Sequence, residues 1–470
     1  MAEIKFGTDG WRAIIGEDFI PENISRVIQA FCDVKKQESN KLIFVGYDRR
    51  LRSQQSARLV AEILGANGFE VRLTTDFCPT PCVSWLVKTN QALAGVMITA
   101  SHNPSNWNGI KFKESNGGAA SPEYTGEIEE QIKKNDASER DIVWKDLQEL
   151  GESGVVKSFD PKEEYVHHLR NFVDVDAIRE AKFKIAVDPL FGAGTGFVKE
   201  VLEQDVFQIH DLADTDFGGL NPEPIEKNLS ALKETIVKNK LDVGLATDGD
   251  ADRIGAMDQD GRFINSHQIF SLLLRHNLSY RKLSGVIVKS FSTTKLIDRI
   301  CEKHGLKMIE TPIGFKHISQ ELKKHDALMG GEESGGISLR DHVHERDGVL
   351  NGLLLLEMMA VNKKSMQELL QDMEAEYGPY RFYRDDYHLT DAKVTEVKAR
   401  LEKQDVKEAA GLRLDHYETT DGTKLIFEDQ SWLLIRASGT EPLLRVYAES
   451  SSDEKVRALL DFAKSEFKLA

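Results

Sequence analysis

Hydrophobic and polar positions along this chain follow two rhythms. Short, β-branched apolar runs at 41–48, 70–75 and 93–100 have the length of buried strands. Between them, 22–36 and 53–67 carry apolar residues at helical spacing, as at Ile24, Val27, Ile28 and Phe31. The succession returns with strand-like runs at 182–189, 206–210 and 243–247, and again at 285–290, 306–309 and 327–329. Strand–helix alternation predicts α/β units whose ligand loops lie at the carboxyl ends of their strands. Identity between the rounds is too faint to count as a repeat; what recurs is the plan. From about residue 377 the rhythm changes. Thr419-Thr420-Asp421-Gly422-Thr423 reads as a hairpin turn between runs at 413–418 and 424–427; strands at 432–436 and 444–449 and an amphipathic helix follow. The prediction is an α/β protein: three similar α/β domains with mixed sheets, then a C-terminal α+β domain. Polar stretches at 133–154, 260–262 and 374–380 divide it into 1–150, 151–261, 262–376 and 377–470.

Length agrees, since 470 residues exceed what one core serves. With 40% hydrophobic and 29% charged residues the chain has the composition of a soluble globular protein. Its 61 basic and 77 acidic residues leave a net charge of −16, which disfavours nucleic acid and anionic membranes as partners. Cys78 and Cys82 flank Pro-Thr-Pro, no second pair completes a zinc site, and Cys32 and Cys301 stand apart, so reduced structural thiols are expected. There is no apolar leader segment and no run of about 18 apolar residues, so a cytoplasmic location is expected.

Candidate chemistry sits where predicted strands end. The run 94–98 breaks into Thr99-Ala100-Ser101-His102-Asn103-Pro104, which lifts one hydroxyl onto a rim. Ser101 there can be a nucleophile, a covalent phosphate carrier or simply a turn cap. The strand 241–247 leads into Asp248-Gly249-Asp250-Ala251-Asp252-Arg253, three alternate carboxylates able to converge on one hard cation. An EF-hand is excluded, because Arg253 stands where its glycine belongs and Gln259 where its bidentate glutamate belongs. Mg²⁺ suits three ligands better than Ca²⁺, since room remains for water and a substrate phosphate. Arg253 beside the carboxylates suits a phosphate that bridges both.

The run 326–329 ends in Gly330-Gly331-Glu332-Glu333-Ser334-Gly335-Gly336, where Glu332 and Ser334 offer an acceptor and a donor for sugar hydroxyls. Ser334 is no hydrolase elbow, because glycine is missing where Glu332 stands. After 432–435 come Arg436-Ala437-Ser438-Gly439-Thr440-Glu441-Pro442, with the arginine, hydroxyls and backbone N–H groups of an anion nest. Each loop alone could be ordinary turn chemistry; four of them, each directly after a strand, argue together for a site. Phe191-Gly192-Ala193-Gly194-Thr195-Gly196 mimics a dinucleotide turn, but Phe197 replaces its third glycine, and a tightly packed turn is the better reading.

Together with Phe6-Gly7-Thr8-Asp9-Gly10-Trp11-Arg12, these four segments, in this order and across the whole chain, resemble the α-D-phosphohexomutase superfamily. The resemblance implies four domains around a central cleft and an intramolecular phosphotransferase, an isomerase of carbohydrate metabolism. It would interconvert hexose 1-phosphate and hexose 6-phosphate, with glucose the expected sugar. The loop Gly331–Gly336 looks more like phosphoglucomutases and phosphoglucomutase/phosphomannomutases than like phosphoglucosamine mutases, whose loop ends in histidine. Gly336 therefore removes one general acid/base of the family pattern. Mannose or dual specificity stays the alternative, ahead of phosphoglucosamine mutation or sugar phosphatase activity.

Moving a phosphoryl group between two hydroxyls of one sugar needs a carrier, a counter-charge, a distant phosphate anchor and a clamp on the ring. Ser101, the Asp248/Asp250/Asp252 cluster, the nest of Arg436, Ser438, Gly439 and Thr440, and the Glu332/Ser334 loop supply one each. One Mg²⁺ per chain would be held by the three aspartates and Ser101. By resemblance, the phosphoserine converts glucose 1-phosphate to the 1,6-bisphosphate, which turns over and returns its other phosphoryl group. Lys111, Arg253 and Lys289 are expected to face phosphoryl groups, Arg12 to bind the substrate, Gly314 and Lys316 to lie on the specificity side, and His102 and Lys111 to be candidates for proton transfer. A phosphohydrolase would need only one phosphate site, and a non-catalytic sensor could lack Ser101 or an aspartate. The expected partner is a phosphosugar, and the expected assembly a monomer or homodimer.

Overall fold

Three sheets repeat one strand order in the computed structural model, which describes residues 3–7, 9–437 and 443–469. Each has four strands in common, of which the first in sequence lies between the second and the third, parallel to both, and the fourth returns antiparallel along the third. In the first unit these are Leu42–Tyr47, Glu70–Thr74, Ala94–Ile98 and Trp107–Lys113. In the second they are Ile185–Asp188, Phe207–Gln208, Val243–Thr247 and Ile254–Asp258. In the third they are Ile287–Ser290, Met308–Thr311, Met329–Gly331 and Ile337–Leu339. The return strand is what places the site. The three motif loops are reversals between paired strands, fixed at both ends, as where Thr247 faces Ile254 and Gly331 faces Ile337.

Two additions extend the first sheet. Trp11–Ile14 pairs antiparallel with Trp107–Lys113 and carries Asp9 and Arg12 toward the first loop. Val156–Phe159 adds parallel to Glu70–Thr74, so the first sheet reaches past the division expected at residue 150. The polar stretch before it is a helix, Leu147–Glu152, that returns the chain to its own sheet rather than a link to the next unit.

Helix Gly348–Asn362 is apolar on every side, and Gly348 to Ala360 are all buried, as an all-round hydrophobic helix must be. Around it one continuous apolar cluster joins the first three units, including Phe44 and Val83, Tyr165 and Leu245, and Leu353 and Leu356. The C-terminal unit is a six-stranded antiparallel sheet with a separate core around Leu425, Leu433, Val446 and Leu459. Its first strand, Arg381–His388, is polar at most positions and gave no hydrophobic signal. It forms because Leu443–Ser450 pairs with it along its full length. All four cysteines are free and buried. Among the described residues, no helix is long and apolar enough to cross a membrane.

Candidate active site

Ser101 stands in the reversal after Ala94–Ile98 with φ of 54°, a left-handed conformation that costs a residue with a Cβ energy and is held here by its surroundings. Its carbonyl accepts from the Arg50 guanidinium at 2.5 Å, and its N–H donates to Thr99 Oγ1 at 2.8 Å. Gly249 presses on the same carbonyl so closely that a Cβ there would lie 2.4 Å from the oxygen. Those contacts aim Ser101 Oγ at Asp248 Oδ2, 2.8 Å away in the second unit. His102 Nδ1 lies 3.3 Å from the same hydroxyl.

The three aspartates converge, with one carboxylate oxygen from each lying within 4.8 Å of the others. All three are completely buried. Asp248 Oδ1 accepts from the N–H groups of Asp252 and Arg253. Lys111 Nζ reaches Asp250 Oδ2 at 2.8 Å and Asp252 Oδ2 at 3.0 Å, and Thr80 also donates to Asp250 Oδ2. The other oxygens, Asp250 Oδ1 and Asp252 Oδ1, are buried with no hydrogen-bond partner among the described residues. Buried carboxylate oxygens left unpaired beside a serine hydroxyl are what a hard divalent cation with oxygen ligands requires, so the residues fit Mg²⁺. Burial, then Asp252 and Asp250, push the Asp248 carboxyl well above its usual range. The turn Phe191–Gly196 backs this loop, with Ala193 N–H donating to Gly249 O at 2.9 Å, and so is packing rather than a nucleotide site.

The two proton-transfer candidates differ in charge. Burial, then Arg253, Arg12, Lys111 and Arg50, drive the His102 pKa well below its usual value, so its imidazole is neutral. Burial opposes the charge on Lys111, but Asp250, Asp252 and Asp9 (2.7 Å away) overcome it and hold the side chain as an ammonium. Of the two, His102 can accept a proton; Lys111 serves as a fixed positive charge. Arg253 lies 4.0 Å from Asp248 and 3.9 Å from Asp252, and Arg12 donates to Asn103 Oδ1 at 2.7 Å.

In the third unit Glu332 Oε1 accepts from Ser334 Oγ at 2.7 Å and from Arg346 at 3.2 Å. Gly314, with φ of 123°, caps helix Phe315–His325, whose first turn carries a half-buried Lys316. Lys289 is wholly buried, its ammonium paired with Asp298 and 3.5 Å from Glu310, carboxylates of its own unit. In the fourth unit Arg436 Nε donates to Asp421 Oδ1 at 2.8 Å. Ser438, Gly439 and Thr440 lie outside the described residues.

Sequence reasoning missed the residue that ties the units together. The Arg346 guanidinium pairs with Asp9 of the first unit, with Asp252 of the second at 2.7 Å, and with Glu332 and Glu345 of its own. Its neighbour Asp347 caps helix Gly348–Asn362, and Gly348 N–H donates to Ala251 O at 2.9 Å. The available signal was the charged run Glu345-Arg346-Asp347 directly before a helix with no polar face.

Family models described as phosphoglucomutase/phosphomannomutase α/β/α domains I, II and III match residues 3–139, 163–261 and 265–377, and the corresponding C-terminal domain matches 389–464. A phosphoglucomutase/phosphomannomutase from Thermococcus kodakarensis is 33% identical over 97% of this chain and 96% of its own. A phosphoglucosamine/phosphogalactosamine mutase from Sulfurisphaera tokodaii is 30% identical over 98% of each. The crystal structure of a Thermus thermophilus protein named as a phosphomannomutase superposes with a TM-score of 0.86, at 34% identity over 99% of both chains.

Proposed function

The chain belongs to the phosphoglucomutase/phosphomannomutase family, so it is a phosphohexomutase, and on that premise we propose that it interconverts glucose 1-phosphate and glucose 6-phosphate through a phosphoserine at residue 101 and a 1,6-bisphosphate. The observation that carries this reading is the approach of Ser101 Oγ to Asp248 within a cluster of three buried aspartates. Mg²⁺ held by Asp248, Asp250, Asp252 and the Ser101 phosphate would supply counter-charge to the phosphoryl group. Lys111 and Arg253 add fixed positive charge beside the transferring group. His102, neutral and 3.3 Å from Ser101 Oγ, would exchange a proton at the reacting oxygens. Glu332 and Ser334 face the sugar hydroxyls, and Arg436 anchors the phosphate that is not being transferred.

Gly336 supports a neutral hexose over an amino sugar. A Cβ at this position would lie 2.2 Å from Arg346 Cδ, so the loop has no space for the histidine that the phosphoglucosamine pattern carries. The decisive assay follows glucose 6-phosphate formation from glucose 1-phosphate while free phosphate is monitored, with mannose 1-phosphate and glucosamine 1-phosphate in parallel. Glucose 6-phosphate without phosphate release is the expected result. Release of phosphate would mean a hydrolase, and faster turnover of glucosamine 1-phosphate would overturn the sugar assignment.

A further inference from the structure

Asp421, in the turn between Leu412–Glu418 and Thr423–Phe427, forms two bonds that run in different directions. Its Oδ1 accepts from Arg436 Nε at 2.8 Å within its own sheet. Its Oδ2 accepts from the N–H of Ile313 at 3.0 Å, across the boundary with the third unit. Ile313 lies directly before Gly314, and the helix that Gly314 caps begins with Phe315 and Lys316. One carboxylate thus joins the phosphate anchor to the loop on the sugar side.

A guanidinium has two edges that can take a pair of oxygens, and an acceptor on Nε occupies one of them. We propose that Asp421 is a positioning residue for both halves of the ligand. Through Oδ1 it turns the NH1–NH2 edge of Arg436 toward the phosphate that is not being transferred. Through Oδ2 it holds Ile313, and with it Gly314 and Lys316, at a fixed separation from that phosphate. The span between phosphate and sugar loop is then set by one side chain rather than by the general docking of the fourth unit. This rests on the reading of Arg436 as the phosphate anchor.

Asparagine separates the two bonds. Its amide oxygen can still accept from Ile313, its NH₂ cannot accept from Arg436 Nε, and Asn-Gly is as good a hairpin turn as Asp-Gly. In Asp421→Asn, KM for glucose 1-phosphate and mannose 1-phosphate should rise together, by about 10-fold, with kcat and the preference between the sugars kept. Asp421→Ala should show the same rise and also shift that preference. In an Arg436→Ala background, Asp421→Asn should add less than about 2-fold, since both changes act on one contact. Glucose 6-phosphate affinity measured by calorimetry should follow KM in every variant. Unchanged KM in Asp421→Asn, or full additivity with Arg436→Ala, overturns the positioning role. Unchanged KM in Arg436→Ala would overturn the anchor reading itself, and this inference with it.

Discussion

The first three units are joined by one apolar cluster and one lattice of buried charges, whereas the fourth has its main core to itself and meets the third through a small apolar contact, Phe291 against Ile426, Trp432, Leu434 and Tyr447, and a few polar ties. In the first region Lys111 and Arg346 each touch carboxylates from more than one unit. In the second the polar ties include Asp421 to Ile313, Lys295 N–H to Glu449, and Lys424 to the carbonyl of Phe291. The contrast separates two ways of holding charge for a reaction. Charge fixed in a common core is preorganised but inseparable from stability; charge on a separately packed module can be altered at the ligand's expense alone.

The largest test of the first region is Ser101→Ala, which should lower mutase turnover by on the order of 10⁴-fold or more while leaving the fold intact. Intact-mass analysis should find one phosphate on the wild type and none on the variant, and excess chelator should silence the wild type. Active Ser101→Ala protein would remove the reason for the buried cluster. Lys111→Met comes next. It strands buried carboxylates of two units, and urea unfolding should show a loss of about 3–5 kcal/mol along with activity. A Lys111→Met protein as stable as wild type would mean the lattice is not a unit.

Arg436→Ala tests the other side. It should lower kcat/KM for every phosphosugar by about 10-fold or more, equivalent to roughly 1.5–3 kcal/mol, without a comparable change in the urea midpoint. Glu332→Ala should alter the glucose-to-mannose ratio by a few-fold, because those sugars share the phosphate and differ at one hydroxyl. If Arg436→Ala shifts the preference and Glu332→Ala depresses both sugars equally, the two roles are exchanged.

A slope with pH rather than a loss of activity is expected at Lys424, between the rings of Phe291 and Trp432 at the joint of the two regions. Burial, then Lys289, lower its pKa from 10.5 to about 8. Between those values the unfolded chain holds a proton that the folded one has released, so stability should rise with pH from about 8 toward 10.5. Melting temperatures across that range should show this slope in the wild type and a flatter one in Lys424→Met.

Much of this was legible in the chain because strand-end loops are local. The run 94–104 and the Asp-x-Asp-x-Asp loop carry their chemistry in consecutive residues, and their strands announce themselves by apolar content. What stayed hidden is long-range. Trp107–Lys113 contains Asn108, Lys111 and Lys113, all buried, so no hydrophobic run marked the return strand. The same residues explain why three alternate aspartates, which alone suggest an exposed acidic turn, lie at zero exposure: the ammonium that compensates them comes from another unit. Lys289 shows the same limit: nothing in its run of residues announces that its ammonium pairs with Asp298, 9 residues on, and with Glu310 of the neighbouring strand.

The packing of Gly336 on Arg346 has a consequence for descent. A lineage that acquires a side chain at residue 336 displaces the guanidinium that also holds Asp252 and Asp9. The order of substitutions is therefore constrained. Relief at residue 346 must come before or with the change at 336, or the intermediate loses the ion pairs that Arg346 makes with Asp252 and Asp9. Ancestral sequences along such a branch should record the change at 346 no later than the one at 336.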